Sequence, residues 1–471
     1  MQEQVLAQLA AVLGERGILS SAEDCARYVT GARYGQGRTL AVLRPDSHEQ
    51  VQQIAAICAQ HSMPLVLQGA NTGLVAAATP DASGRIAVLS LERLKSHIEI
   101  DLDNRSVTVD AGVSLQDLND ALEPHGLCFP IDLGANPSIG GMIAANTGGA
   151  RLIKYGDVRH NLLGLRAVLL DPPGAELDLL AGLRKNNTGP DLKQLFVGSS
   201  GAYGVITRAV LQVHRLPRQS ATALVIPRDQ DAVLEILRVL ERDCGEFLSA
   251  FEGMSGAAMQ AVARHIPDLG NPFAPEALPE YAVLIELTST SDPASGIEVE
   301  TLLMNALENL FGDAVQNAVV GRGKDLWRIR HAISESIRHE GKLIAFDIAM
   351  VRSALPAFRA RALDLLAQRF PYIKAFDFGH WADGGCHFNL AWPADAAVAY
   401  DAAIVEQIRT ALYDLVVYEF GGSFSAEHGV GPYNQQYYQR YVSQNAKQLA
   451  GKIQSMLDPQ GLLGLTRFGA Q

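Results

Sequence analysis

GANPSIGGMIAANTGG, residues 134–149, is the stretch on which the fold reading turns. It places five glycines among Asn136, Ser138, Asn146 and Thr147. Glycine permits positive φ and lets a backbone approach a ligand closely. Successive N–H groups in such turns form concavities that hold anions. Two further segments share the texture: Gln68-Gly69-Ala70-Asn71-Thr72-Gly73 and Val197-Gly198-Ser199-Ser200-Gly201-Ala202-Tyr203-Gly204. Each taken alone also fits an ordinary tight turn. Together, three such loops in one lobe can wrap a long ligand that carries a pyrophosphate. None of the three reads as G-x-G-x-x-G or as G-x-x-x-x-G-K-[ST], which disfavours a nicotinamide or ATP site of those types.

Outward from these loops the pattern is of short strands with a few helices. Thr39–Leu43 and Pro64–Leu67 read as strands flanking a helix over Ser47–Gln60, with Val51, Ile54, Ala55 and Cys58 inward. Strands follow at 85–90, 97–101, 105–110, 163–170 and 204–214, with a helix near 114–124. This predicts an α+β domain. Near Pro217 the texture shifts to strands at 221–226 and 281–288 that alternate with helices at 230–243, 296–310 and 354–369, the pattern of a second, α/β lobe beginning near 218. Leu449, Ile453 and Leu457 mark a helix ending before Asp458-Pro459.

The 471 residues exceed what one core usually holds. The net charge of −12 argues against a nucleic-acid or anionic-membrane surface. Five widely spaced cysteines, without CxxC, predict neither a disulfide framework nor an iron–sulfur cluster, and suit the cytoplasm. The N-terminal helix carries Val5, Leu9, Val12 and Leu13 on one stripe and lacks the basic start of a signal peptide. No apolar run is long enough to span a bilayer.

Two histidines, His380 and His387, flank the turn signal Asp383-Gly384-Gly385. After the turn, 387–392 alternates as a strand, with His387, Asn389 and Ala391 on one face. Glu427 and His428 are adjacent, so their side chains point in different directions. Two imidazoles and a carboxylate suit a divalent metal, zinc first, with manganese or iron open. The same residues also fit ordinary hydrogen-bonded core positions.

In this order, PLVLQGANTGLV, IDLGANPSIGGMIAANTGGARLIKYGDVRHNLLGL, KNNTGPDLKQLFVGSSGAYGVITRA, GHWADGGCHFNL, GGSFSAEHGVG and MLDPQGLLG resemble the FAD-linked D-2-hydroxy-acid dehydrogenase family, within the vanillyl-alcohol-oxidase type of flavoprotein. The resemblance covers roughly residues 38–464. Residues 1–37 read as a helical arm, and the resemblance implies a two-lobed chain: an FAD-binding domain over 38–217, a cap domain over 218–420, and a segment over 421–471 that returns to the flavin.

The resemblance also implies roles. Gly69, Asn71, Thr72, Gly73 and Leu74 lie against the FAD diphosphate. Pro130, Gly134, Ser138, Gly140, Gly141, Asn146 and Gly149 match the long flavin loop, and Gly198, Ser199, Gly204, Val205 and Ile206 a third contact. The FAD is expected to be non-covalent. His380, His387 and Glu427 match the metal ligands, and His428 the base. Arg330 matches the arginine presented to the substrate carboxylate; Ser334, one helical turn later, and Asn389 add contacts. The implied reaction oxidises a small D-2-hydroxy acid such as D-2-hydroxyglutarate or D-lactate. An electron-transfer flavoprotein, a quinone or a cytochrome is the expected acceptor, and a homodimer the expected assembly.

There are departures. Ala70, Ser200, Tyr203, Ala382 and Gly385 differ from the family pattern. Ala345 stands where the 2-hydroxyglutarate enzymes carry a substrate-binding lysine, which leaves room for a different side chain on the substrate. Two readings stand beside this one: a flavin subunit of a glycolate-oxidising complex, and a flavoprotein alcohol oxidase or dehydrogenase. A flavin-free metalloenzyme using His380, His387 and Glu427 alone leaves the glycine loops unexplained.

Overall fold

Val42–Leu43, the helix His48–Gln60 and Leu65–Gln68 form a strand–helix–strand crossover in the computed structural model, which describes residues 2–470. Ser47 starts the helix, its Oγ accepting from the Gln50 N–H at 3.2 Å. Val51, Ile54, Ala55 and Cys58 are fully buried, as their spacing requires. The two strands are parallel to Ala87–Ser90, which lies between them in the sheet. Residues 1–37, expected as a helical arm, also contribute Ile18–Leu19, antiparallel to Val42–Leu43 at the edge of this sheet.

The chain divides into two units. Met1–Gly148, Gly156–Leu216 and Glu427–Gln471 form the first, and Gly149–Tyr155 with Pro217–Ala426 form the second. The C-terminal return to the first unit thus begins at Glu427. A short piece, Gly149–Tyr155, leaves the first unit for the second.

In the first unit a five-stranded antiparallel sheet runs in the order Ile98–Asp101, Ser106–Asp110, Val205–Gln212, Leu162–Leu170, Pro173–Leu179. The last strand lies at the edge and is partly exposed. Its opening Pro173-Gly174 hides it from a sequence reading, because both residues mark turns.

Residues 134–149, expected as a loop, contain the helix Ile139–Ala145. Ser138 caps its start, and Asn146, at φ +53, closes its end in the left-handed region. Helical glycine costs about 1 kcal/mol against alanine. At Gly140 the missing side chain is required, because a Cβ there would stand 2.8 Å from the Ala111 Cβ. Close packing overrides propensity at this point.

The second unit is built on one antiparallel sheet, with central order Val315–Val320, Gln219–Pro227, Tyr281–Ser289, Leu248–Ser255, Lys374–His380, Gly385–Trp392, Lys342–Ile344. The helices Gly256–His265 and Gly323–Ser336 pack through Met259, Val262, Leu326, Ile329 and Ile333 into a core with Leu284, Phe376 and Phe378. Glu286, on the central strand Tyr281–Ser289, is buried in this unit. It accepts from Arg151 Nε and Nη2, at 2.8 and 3.1 Å, from Ser249 Oγ at 2.7 Å and from Trp327 Nε1 at 2.9 Å. Arg151 comes from the transferred piece Gly149–Tyr155.

Candidate functional site

The three glycine-rich segments of the first unit come together through their backbones. A Cβ on Gly69 would collide with the Ser138 Oγ, so the first segment packs directly on the cap of the second. The N–H groups of Gly198 and Ser200 donate to the carbonyls of Ile143 and Ala144, at 3.1 and 2.8 Å, which fastens the third segment to the second. Val205 and Ile206, at the start of their strand, are buried, and so are Gly204 and Ser199. Ser199 Oγ donates to the Phe196 carbonyl at 2.8 Å.

Asn71 and Asn146 shape turns. Asn71 sits at φ +55, and its Nδ2 donates to the Thr30 carbonyl at 2.9 Å. Asn146 donates to Asp157 Oδ2 at 2.8 Å and accepts from the Arg159 N–H at 3.0 Å. Thr72 and Leu74 are half-buried, whereas Gly73, Gly134 and Gly141 are exposed; Pro130 is half-buried. Gly149 is the first residue of the piece that belongs to the second unit. A run of small residues with exposed backbone, lying between buried strand ends, offers N–H groups to an anion.

The C-terminal part of the first unit reaches the same segments. The Tyr433 N–H donates to the Val75 carbonyl at 3.2 Å, and Ser200 Oγ donates to the Val430 carbonyl at 2.6 Å. Glu427 and His428 stand just upstream of this join, with His428 Nε2 3.8 Å from Glu427 Oε1. Both are half-buried.

In the second unit, Lys374–His380 and Gly385–Trp392 form a hairpin that sets Phe378 opposite His387. Asp383 closes its turn by accepting from the Gly385 N–H at 2.8 Å. The hairpin brings the two histidines together, with ring centroids 5.4 Å apart. On the other side of this strand, Glu252 is paired across the sheet with His380. His380 Nδ1 lies 2.7 Å from Glu252 Oε1. Glu252 is 1% exposed. Burial opposes its charge, but the neighbouring His380 and Arg330 outweigh that cost and hold the carboxyl down to about 2.

Arg330 lies on the helix Gly323–Ser336, is buried, and stacks over the Phe378 ring at 4.7 Å. Ser334, one turn on, is exposed. Asn389 is buried, and its Oδ1 accepts from the Phe346 N–H at 3.2 Å. The side chain of Asp347, next in sequence, has its Oδ1 3.9 Å from His387 Nδ1. Its other oxygen accepts from the Ala426 N–H at 3.1 Å. Ala426 ends this unit, and the chain passes directly into Glu427. His387 and Asp347 therefore give the second unit an imidazole and a carboxylate 3.9 Å apart, donors of the kind a divalent metal takes, whereas His380 turns its Nδ1 to Glu252.

Glu252 and Asp347 carry no local sequence signature and were not anticipated. Glu252 is 128 residues from its histidine. The one available signal was a charge inside an apolar run, in Leu248–Ser255 and in Ile344-Ala345-Phe346-Asp347.

Comparison with known proteins gives two family matches, an FAD binding domain over residues 39–175 and the C-terminal domain of FAD linked oxidases over residues 216–464. The chain is 32% identical over 462 residues to a probable mitochondrial D-2-hydroxyglutarate dehydrogenase of Oryza sativa subsp. japonica, covering 96% of this chain and 79% of that protein. It is 32% identical to the D-2-hydroxyglutarate dehydrogenase of Xanthomonas citri pv. viticola, over 90% of this chain and 88% of the relative. Among solved structures, p-cresol methylhydroxylase superposes with a TM-score of 0.74 at 17% identity, covering 100% of this chain and 97% of that one. A 4-ethylphenol oxidase from Gulosibacter chungangensis gives 0.73 at 18%, covering 99% and 97%. These two likenesses show the fold alone, which this chain shares with both proteins.

Proposed function

The chain belongs to the FAD-linked oxidases, and on that premise we propose that it oxidises a small D-2-hydroxy acid to the 2-oxo acid. The observation that carries this reading is the near full-length similarity to D-2-hydroxyglutarate dehydrogenases, joined to a hairpin that brings His380 and His387 together. When bound, FAD supplies the hydride acceptor.

The glycine-rich segments of the first unit hold the cofactor through backbone N–H groups. His428 takes the proton of the 2-hydroxyl, a task suited to an imidazole within reach of the hydroxyl. The second unit supplies Arg330 as the positive charge toward which the substrate carboxylate orients. His380 and His387 with Glu427 would hold a divalent metal, zinc first, whose chemistry is to lower the pKa of a bound hydroxyl. Asp347, beside His387, is a further donor for the same ion.

Ala345 is buried, and its carbonyl accepts from Arg409 Nη1 at 3.0 Å. A methyl group at this position gives no charge to a second substrate carboxylate. The reading therefore favours hydroxy acids with a short or apolar side chain over D-2-hydroxyglutarate.

The test is the anaerobic visible spectrum of the purified protein, taken before and after adding D- and L-2-hydroxy acids one by one. Bleaching of the flavin bands by a D-acid and not by its L-enantiomer is the expected result. A flavin that stays oxidised with every acid, in protein loaded with zinc, rejects the reading.

A further inference from the structure

We propose that Glu252 is a positioning residue that fixes the ring and the tautomer of His380 for metal binding. The inference rests on the metal reading above and adds to it a residue outside the ligand set.

The geometry is set by strand register. Leu248–Ser255 pairs antiparallel with Lys374–His380, so that Glu252 stands directly across from His380 and Gly253 across from Gly379. A shift of one residue would turn both side chains to the opposite face. The next residue locks that register. A Cβ on Gly253 would collide with the Trp381 indole, whose Nε1 donates to the Tyr281 hydroxyl at 2.7 Å. Trp381 is thus seated over a glycine, and His380 is held beside it.

The carboxylate has two oxygens with separate partners. Oε2 receives Arg330, at 2.7 Å from Nε and 2.6 Å from Nη2. Oε1 faces His380 Nδ1 at 2.7 Å. An ionised carboxylate only accepts, so the proton of this bond belongs to Nδ1. The lone pair of the neutral ring is then on Nε2. A carboxylate behind a metal-binding histidine fixes the ring orientation and raises the basicity of the ligating nitrogen. Arg330 completes the arrangement by holding Oε2, which leaves Oε1 turned to the histidine.

A buried ion pair that served stability alone would leave metal affinity unchanged when its charge is replaced isosterically. The experiment compares the flavin-loaded parent, Glu252→Gln and His387→Ala for Zn²⁺ affinity, by competition with a chromophoric chelator. Flavin content and melting temperature are measured on the same samples. Glu252→Gln is expected to keep its flavin and to bind Zn²⁺ about 10–100-fold more weakly. If Glu252→Gln does not fold, the pair Glu252→Gln/Arg330→Met removes both charges together and is expected to show the same loss.

Zn²⁺ affinity within twofold of the parent in the folded variant overturns the inference and leaves the metal reading standing. A parent that takes up no Zn²⁺ sensitive to His387→Ala overturns both.

Discussion

Arg330 spends both nitrogens of one guanidinium edge, Nε and Nη2, on a single oxygen of Glu252. That edge is the fork that would otherwise grip a substrate carboxylate with two parallel bonds. That edge is therefore already taken up within the second unit. What Arg330 can still offer a substrate is its positive charge.

Arg330→Lys should separate these roles. A lysine ammonium keeps the charge but cannot reproduce the edge-on contact with Glu252. We expect a KM for the hydroxy acid at least tenfold higher, with FAD retained. Arg330→Ala leaves Glu252 buried without its arginine and with Oε2 unpaired, and should cost about 3–5 kcal/mol of stability. Steady-state kinetics and thermal melting check the two arms. A KM unchanged in the lysine variant removes Arg330 from substrate binding.

His428→Ala should slow flavin reduction by about 10²–10⁴-fold if His428 takes the hydroxyl proton. Flavin content and melting temperature should stay at parental values. Anaerobic stopped-flow spectroscopy at saturating acid measures the rate. A parental rate assigns the base elsewhere.

Gly69→Ala inserts a methyl group against Ser138 Oγ. Overpacking of this kind costs about 1–3 kcal/mol. Because both residues lie on segments expected to hold the cofactor, the purified protein should carry much less flavin per chain. Gly69→Ala/Ser138→Gly removes the colliding oxygen, and glycine is a tolerable cap. The double variant should recover part of the flavin. Full flavin in the single variant would show that the two segments yield without loss.

His214 gives a pH dependence with a definite sign. Burial lowers its pKa to about 4, with Arg105 and Arg184 adding to the effect. The unfolded chain has the ordinary value of about 6.5. Between these limits the unfolded state binds the extra proton, so stability rises with pH. Equivalently, stability from His214 is complete above about pH 6.5 and is lost as pH falls toward about 4. His214→Gln should flatten the melting temperature across this interval. A slope identical to the parent's would place the acid sensitivity in other groups.

Helices with a one-sided apolar stripe were legible in the sequence, as Val51, Ile54, Ala55 and Cys58 show. The hairpin carrying the two histidines was legible too, because Asp383-Gly384-Gly385 is turn chemistry and 387–392 alternates. The helix Ile139–Ala145 was not, since its Gly140 answers to Ala111, 29 positions away in the chain. In Gln444–Leu457 the helix was found but its buried face was not. Leu449 is 63% exposed, whereas Lys447 and Gln454 are buried because they bond carbonyls of Gln439 and Thr466. Polar side chains that satisfy backbone groups leave no periodic signal. Glu252 was hidden for the same kind of reason: its partners His380 and Arg330 come from other elements.

The transferred piece Gly149–Tyr155 has a consequence for how the chain comes off the ribosome. Arg151 emerges 135 residues ahead of Glu286, its partner. The second unit has all its parts once Ala426 is made, while the first still lacks Glu427–Gln471. Domains usually mature from the N-terminus during synthesis. Here the order of completion is reversed: the unit whose residues are made earlier is the later to be whole, and its glycine-rich segments wait, in the nascent chain, for Glu427 and the residues after it.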